Sequence, residues 1–198
     1  VENDGSPASK KHYYIWQPPF IEKNQYRINP NQEATKLLPE LVVRENNFIA
    51  FCKSRKDVEI VLKESRDKLT DDIPGNVSFS HFISGYRGGY TPVERKEIEQ
   101  KMVDGELKGL ISTNVLELGI DIGKVDTTVL VGYPGTRASF WQQSGRAGRS
   151  GNDSSTFLIL DNLRFDQYIA INPEWLFSNE SESAVIDANN LYIQIAHV

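Results

Sequence analysis

The sequence predicts an α/β fold, a mostly parallel sheet with helices on both faces. Three observations lead there. Strand-like and helix-like segments alternate about every 25 residues, as crossover units require. The strand segments are apolar throughout rather than alternating, which marks strands covered on both faces. The chain is long enough for this, with 198 residues, 39% of them hydrophobic and 25% charged. It has no apolar run near the ~18 residues of a membrane-spanning helix.

The first eleven residues are polar and hold Gly, Ser and Pro, as in a linker or a disordered end. His12–Trp16 is aromatic and β-branched, and Pro18-Pro19 stops it, so a short strand is expected. From Asn31, the residues Ala34, Leu37, Leu38, Leu41 and Val42 keep helical spacing, and Pro39 predicts a kink or two helical pieces. Asn47–Cys52 reads as a strand buried on both sides. An amphipathic helix follows, with Val58, Val61, Leu62 and Leu69 on one face and the pairs Glu59/Lys63 and Glu64/Lys68 on the other. Val77–Ile83 reads as a strand. Thr91-Pro92-Val93-Glu94 forms a capping box with Pro at the first helical position, which starts a helix. Lys108–Ser112 is a strand, Asn114–Leu118 a short helix and Thr127–Val131 a buried strand. Thr136 caps a helix carrying Phe140 and Trp141, and Ser155–Leu160 is the last strand. Past Arg164 the pattern breaks into an acidic Ser/Asn/Glu stretch, read as a linker and the start of a following domain over 166–198.

Charge narrows the partners. The net charge is −5, yet residues 1–164 hold all 22 Lys and Arg and are neutral overall. The excess lies in Asp166, Glu174, Glu180, Glu182 and Asp187. A neutral body with an acidic end does not bind a polyanion by bulk field, so any such contact needs placed groups. The single cysteine, Cys52, rules out an internal disulfide or a cysteine zinc cluster, and is expected to be a buried thiol. His12, His81 and His197 lack partners at metal or triad spacing, and no metal site is expected. The composition and the lack of a leader segment predict a cytoplasmic protein, or a nuclear one in a eukaryote.

Two strings carry chemistry. In Gln142-Gln143-Ser144-Gly145-Arg146-Ala147-Gly148-Arg149, two arginines three apart on a glycine-broken helix can aim two guanidinium forks at one polyanion. This suits a phosphoryl group whose charge spreads over its oxygens during transfer. Ser112-Thr113-Asn114-Val115-Leu116-Glu117-Leu118-Gly119-Ile120-Asp121-Ile122 runs from a strand end into a short helix and a Gly-Ile-Asp turn. Thr113 and nearby amides can hold a phosphate, and Asp121 can accept from a ribose hydroxyl. Taken alone, Thr113 is equally an N-cap and Asp121 a turn residue. Glu117 is either a helix-surface carboxylate or a partner for one of the arginines.

Together, in this order and spacing, the two strings resemble motifs V and VI of superfamily 2 (DEAD/DEAH-box-like) helicases, in their second RecA-like lobe. Val131-Gly132-Tyr133-Pro134-Gly135, with Trp141 ahead of the glutamines, looks most like DNA-repair helicases of the Hrq and mitomycin-repair-factor type. Phe48–Lys56 looks like motif IV and Tyr86–Arg95 like motif IVa, so the resemblance spans residues 12–165. It implies a RecA-like fold and specific roles. Arg149 would be the arginine finger on the ATP γ-phosphate, with Arg146 on the same phosphates. Gln142 would couple ATP to the strand, Asp121 would bind the ribose and Gly119 would let the backbone approach. Thr113, with Ser54, Arg55 and Arg87, would touch the tracked strand. The Gly88-Gly89 pair, which leads into a capped helix, is either a further phosphate seat on that strand or a plain loop. The substrate would be single-stranded or forked DNA, moved 3′ to 5′.

Neither a P-loop (GxxxxGK[ST]) nor an acidic pair to hold Mg²⁺ with ATP occurs in the sequence. The resemblance therefore implies half of a motor, inactive alone and completed by the N-terminal RecA-like lobe of the same parent chain. An RNA helicase lobe, or a non-catalytic protein-binding scaffold, are the alternatives.

Overall fold

The computed structural model describes residues 9–24, 26–71, 79–117, 120, 122–148 and 152–178. In chain order they form β1 (Lys11–Trp16), a small hairpin of β2 (Phe20–Ile21) and β3 (Tyr26–Arg27), α1 (Pro30–Val43), β4 (Phe48–Phe51) and α2 (Arg55–Asp71). There follow β5 (Ile83–Tyr86), α3 (Pro92–Val103), β6 (Gly109–Ser112), β7 (Thr127–Val131), α4 (Arg137–Ser144), β8 (Ser154–Ile159) and α5 (Arg164–Ile171). Six strands make one sheet in the order β1-β8-β7-β4-β6-β5. Every pairing in that sheet is parallel. This is the expected fold, and its carboxyl edge gathers the loops that follow the strands.

Successive strand residues point to opposite faces, and two cores result. Phe48, Ala50 and Cys52 face one side with Ala34 and Leu38 of α1 and Val58 and Val61 of α2. Ile49 and Phe51 face the other with Met102 of α3, Phe140 of α4 and Ile169 of α5. Burying a large apolar side chain is worth roughly 1.5–3 kcal/mol, and both faces of the central strands contribute. Packing is close where β6 begins. A Cβ on Gly109 would lie 2.1 Å from Cζ of the buried Phe48 ring, so the ring occupies the space of the missing side chain.

Several elements differ from the sequence reading. Pro39 does not divide its helix, because α1 runs unbroken over Pro30–Val43. The proline ring removes the N–H that would bond the Thr35 carbonyl one turn back. Lys68 of α2 supplies a donor instead, from Nζ to the Thr35 carbonyl at 3.1 Å and to its Oγ1 at 3.0 Å. Lys68 is thus spent between helices rather than on Glu64, and Glu59 holds Arg87 at 2.7 Å rather than Lys63.

Of the strand expected at 77–83, residues 77 and 78 lie outside the described residues. Ser80–Phe82 is a 3-10 turn, and the strand begins at Ile83, where Gly109 of β6 sets the register. The turn after β6 is also 3-10, over Asn114–Glu117. By contrast, the Thr91 capping box forms in full, which holds the Glu94 carboxyl below its usual range, chiefly through the Thr91 backbone N–H.

The body continues past residue 165. Residues 166–178, expected to be linker, complete α5 and a 3-10 turn at Pro173–Phe177. Ile169 and Leu176 are fully buried there, and so is the Asp166 side chain. The remainder of that stretch, 179–198, lies outside the described residues. Trp141 packs edge-on against Tyr13, Phe140 and Phe177.

Candidate functional site

In a parallel α/β sheet, ligands collect at the carboxyl ends of the strands, and of the residues singled out in the sequence, Ser54, Arg55, Arg87, Gly88 and Thr113 follow strand ends at that edge. After β4 come Lys53, Ser54 and Arg55. Ser54 Oγ accepts from the Asp57 N–H at 3.1 Å and donates to the Asp57 carboxylate at 2.5 Å, so Ser54 caps the start of α2. Asp57 also accepts from Asn31 of α1 at 2.7 Å. Capping fixes Arg55 at the first turn, and its guanidinium lies 3.9 Å from where a Cβ of Gly88 would be. Arg55 and Gly88, far apart in sequence, are therefore neighbours.

Arg87, after β5, is held by Glu59 at 2.7 Å and lies over the Tyr90 ring at 5.1 Å. The Gly88 carbonyl accepts from Arg95 at 2.8 Å. Thr113 follows β6, half-buried on the same edge. Arg55, Arg87, Gly88 and Thr113 thus lie along the ends of β4, β5 and β6.

The helix-borne string is built differently. Thr136 caps α4 by accepting from Ser139 N–H at 3.0 Å. Gln142 is exposed on that helix. Gln143 is 5% exposed, and its Nε2 donates to Glu117 Oε2 at 3.2 Å. Glu117 therefore bonds the glutamine rather than resting free on the surface. Arg146 is 4% exposed, and Nη1 donates to the Ile120 carbonyl at 2.9 Å. A guanidinium has five N–H donors, and this bond uses one of them. Gly145 cannot be larger, since a Cβ there would lie 2.8 Å from the Trp141 carbonyl oxygen. Two side-chain bonds thus tie the two strings together: Gln143–Glu117 joins α4 to the turn after β6, and Arg146–Ile120 joins the residues that follow each. Gly119, Asp121 and Arg149 lie outside the described residues.

Sequence reasoning missed three features of this edge. The first is Asp166, whose Oδ2 accepts the Tyr133 N–H at 3.1 Å and the Asp161 N–H at 2.8 Å, joining the loops after β7 and β8. The second is Lys53, with Nζ 3.4 Å from Asp161 and 4.0 Å from Asp166. Gly132, at φ +83°, makes room for it, since a Cβ there would fall 2.2 Å from Lys53 Cε. The glycine after a buried strand was the available signal. The third is a cavity of about 430 Å³ between these loops, with Lys53, Asn114, Glu117, Pro134, Gln143 and Leu163 in its wall. Among the described residues, no group of three or more His, Cys, Asp or Glu could hold a metal ion.

Cys52 lies just behind this edge, and burial, then the nearby Asp57 charge, pushes its thiol up to about 12. Tyr86 is likewise raised by burial and by donating to Glu99 at 2.6 Å.

A parallel six-stranded sheet flanked by helices, with two sequence strings bonded together beside its carboxyl edge, is a RecA-like α/β lobe. The model of the helicase conserved C-terminal domain matches residues 32–151, more than half of the chain, and the chain belongs to that family. It is similar, at 40% identity over its whole length, to the uncharacterized ATP-dependent helicase YprA of Bacillus subtilis, of which it covers 26%. It is 39% identical to the ATP-dependent helicase HRQ1 of Saccharomyces cerevisiae, again over its whole length and 19% of the relative. Among solved structures, the DUF1998 helicase MrfA bound to DNA and AMPPNP superposes on the whole chain with a TM-score of 0.88, at 38% identity and over 27% of that protein. The chain thus spans about a quarter or less of the relatives it matches. Among the described residues no helix is long and apolar enough to cross a membrane.

Proposed function

We propose that this chain is the C-terminal motor lobe of an ATP-dependent DNA helicase, one that completes the ATP site and grips one strand. The observation that carries this reading is the pair of bonds between the two sequence strings. Gln143–Glu117 and Arg146–Ile120 make the phosphate-facing helix and the strand-contacting turn one unit. A change at either end is then felt at the other. The likeness to MrfA, solved with DNA and AMPPNP, supports DNA as the polymer.

In this reading ATP and Mg²⁺ are held mainly by the N-terminal RecA-like lobe of the parent chain. Arg149 reaches across the cleft as the arginine finger and offsets the charge that develops on the transferring phosphoryl group. Arg146, which also holds the Ile120 carbonyl, contacts the same phosphates. Asp121 binds the ribose, Gly119 admits the backbone and Gln142, exposed on α4, senses the nucleotide. On the other side of the unit, Thr113, Ser54, Arg55, Arg87 and Gly88 contact the sugar-phosphate backbone. Such contacts position a strand without reading its sequence. Lobe closure and reopening then advance one strand, 3′ to 5′, and a role in DNA repair follows from the resemblance to the Hrq type.

The test is ATP hydrolysis by the parent polypeptide with matched single strands of DNA and RNA. Stimulation by DNA and not by RNA is the expected result. Preference for RNA would make this an RNA helicase lobe, and indifference to both would favour a protein-binding scaffold.

A further inference from the structure

The cavity at the ends of β4, β6 and β7 is not used by the backbone contacts assigned above. Its volume, about 430 Å³, falls in the range of small-ligand sites. Its wall has a distinct chemistry. Lys53, the cation in it, is already matched by Asp161 at 3.4 Å and Asp166 at 4.0 Å. Glu117 adds a further carboxylate, so the cavity repels phosphate. What it offers is two amide side chains, Asn114 and Gln143, that carboxylate, and apolar surface from Pro134 and Leu163. This combination suits a neutral, planar ring with hydrogen-bonding edges. A carboxylate accepts at both oxygens. Glu117 can therefore keep its bond from Gln143, 3.2 Å at Oε2, and accept an amino group as well.

We propose that this cavity takes one unstacked nucleobase of the tracked strand and favours bases with an exocyclic amino group over thymine. The proposal rests on the strand-gripping reading, and position supports it. The cavity contains Asn114, the residue after Thr113, and Lys53, two residues before Arg55, so it lies in the same loops as the phosphate-contacting row. A strand whose backbone is held by Arg55, Arg87 and Thr113 presents bases to this opening. Splayed single-stranded bases are read on their edges by such amide and carboxylate groups. The cavity also joins both halves of the unit, since Asn114 and Glu117 come from the turn after β6 and Gln143 from α4. A base seated there would bear on the Glu117–Gln143 bond itself.

The experiment uses the parent polypeptide and an oligothymidylate carrying one 2-aminopurine, moved position by position along the strand. At saturating protein, the fluorescence is expected to rise several-fold at one register as that base leaves the stack. Leu163→Trp, at a residue 56% exposed and so free to change without disturbing the core, fills the cavity and abolishes the rise. Glu117→Gln is expected to shift the ratio of oligodeoxyadenylate to oligothymidylate affinity by about tenfold towards thymidylate, while its oxygen keeps the Gln143 bond. Strand binding without a rise at any register, or a rise that survives Leu163→Trp, overturns the cavity assignment and leaves the strand reading standing. Failure of the parent polypeptide to bind the strand at all overturns both.

Discussion

The Asp166 carboxylate illustrates how much a single residue holds at the site. One of its oxygens accepts two backbone N–H groups, from Tyr133 and Asp161, and Lys53 lies 4.0 Å from the other. Removing the acceptor leaves two N–H groups at a buried point without it, each costing roughly 1–3 kcal/mol. Asp166→Ala is therefore expected to lower stability by about 2–6 kcal/mol in denaturant unfolding. Asp166→Asn, which keeps one acceptor oxygen, costs much less. Equal losses in the two variants would show that the bonds to Oδ2 are not what matters. In sequence, Asp166 stands with the acids of the C-terminal stretch, and only its N–H partners, far away in the chain, distinguish it from them.

Cys52 gives a pH prediction at the same scale. Burial, aided by Asp57, lifts its thiol from the ordinary 9.0 to about 12. A group whose folded-state pKa is raised stabilises the fold fully below its unfolded value and loses that contribution as pH climbs through the folded value. The stability from this thiol is thus complete below pH 9 and lost between pH 9 and about 12. A thiol-specific disulfide reagent at pH 8 should leave the native chain unlabelled and label it fully in denaturant. Rapid labelling of the native chain would contradict the burial.

Among the elements, α1 shows where local rules stop. Pro39 inside a helical pattern is a sound reason to expect a break, since proline both clashes and removes a donor. The break is absent because Lys68, on the neighbouring helix, takes over the Thr35 carbonyl. No spacing rule within α1 contains that information. The two residues should therefore couple. Lys68→Met is expected to cost about 1–2 kcal/mol with Pro39 in place, and less in a Pro39→Ala background, where the helix supplies its own N–H to Thr35. Additive effects in this double-mutant cycle would refute the compensation.

Other elements were legible because their signals are local. The capping box at Thr91 needs four consecutive residues and formed as read. The buried strands β4 and β7 announce themselves by unbroken apolar runs. The start of β5 did not, because its register comes from β6 rather than from its own residues.

For the whole molecule, the parallel sheet and the gathering of Thr113, Arg55, Arg87 and Gly88 at its carboxyl edge were readable from alternation and from motif order. Less readable was what lies between those motifs. The cavity, the Lys53–Asp161–Asp166 cluster and the Gln143–Glu117 bond each draw on two or more segments that meet only in the folded sheet. The C-terminal limit of the body was masked by composition. An acidic, Asn- and Ser-containing stretch hides Ile169 and Leu176, whose burial becomes apparent only against the sheet.

At this scale a division of labour is expected. The 198-residue chain alone should show no ATP turnover, and the parent polypeptide should hydrolyse ATP when a single DNA strand is present. The measurement that tests the central claim most directly is that DNA-stimulated turnover in the parent polypeptide, compared with its Arg149→Ala variant. Loss of an arginine finger should lower the rate ~10³-fold or more while the strand still binds. Turnover that is indifferent to Arg149 would contradict the account, because this lobe would then contribute nothing to the phosphoryl transfer it is proposed to complete.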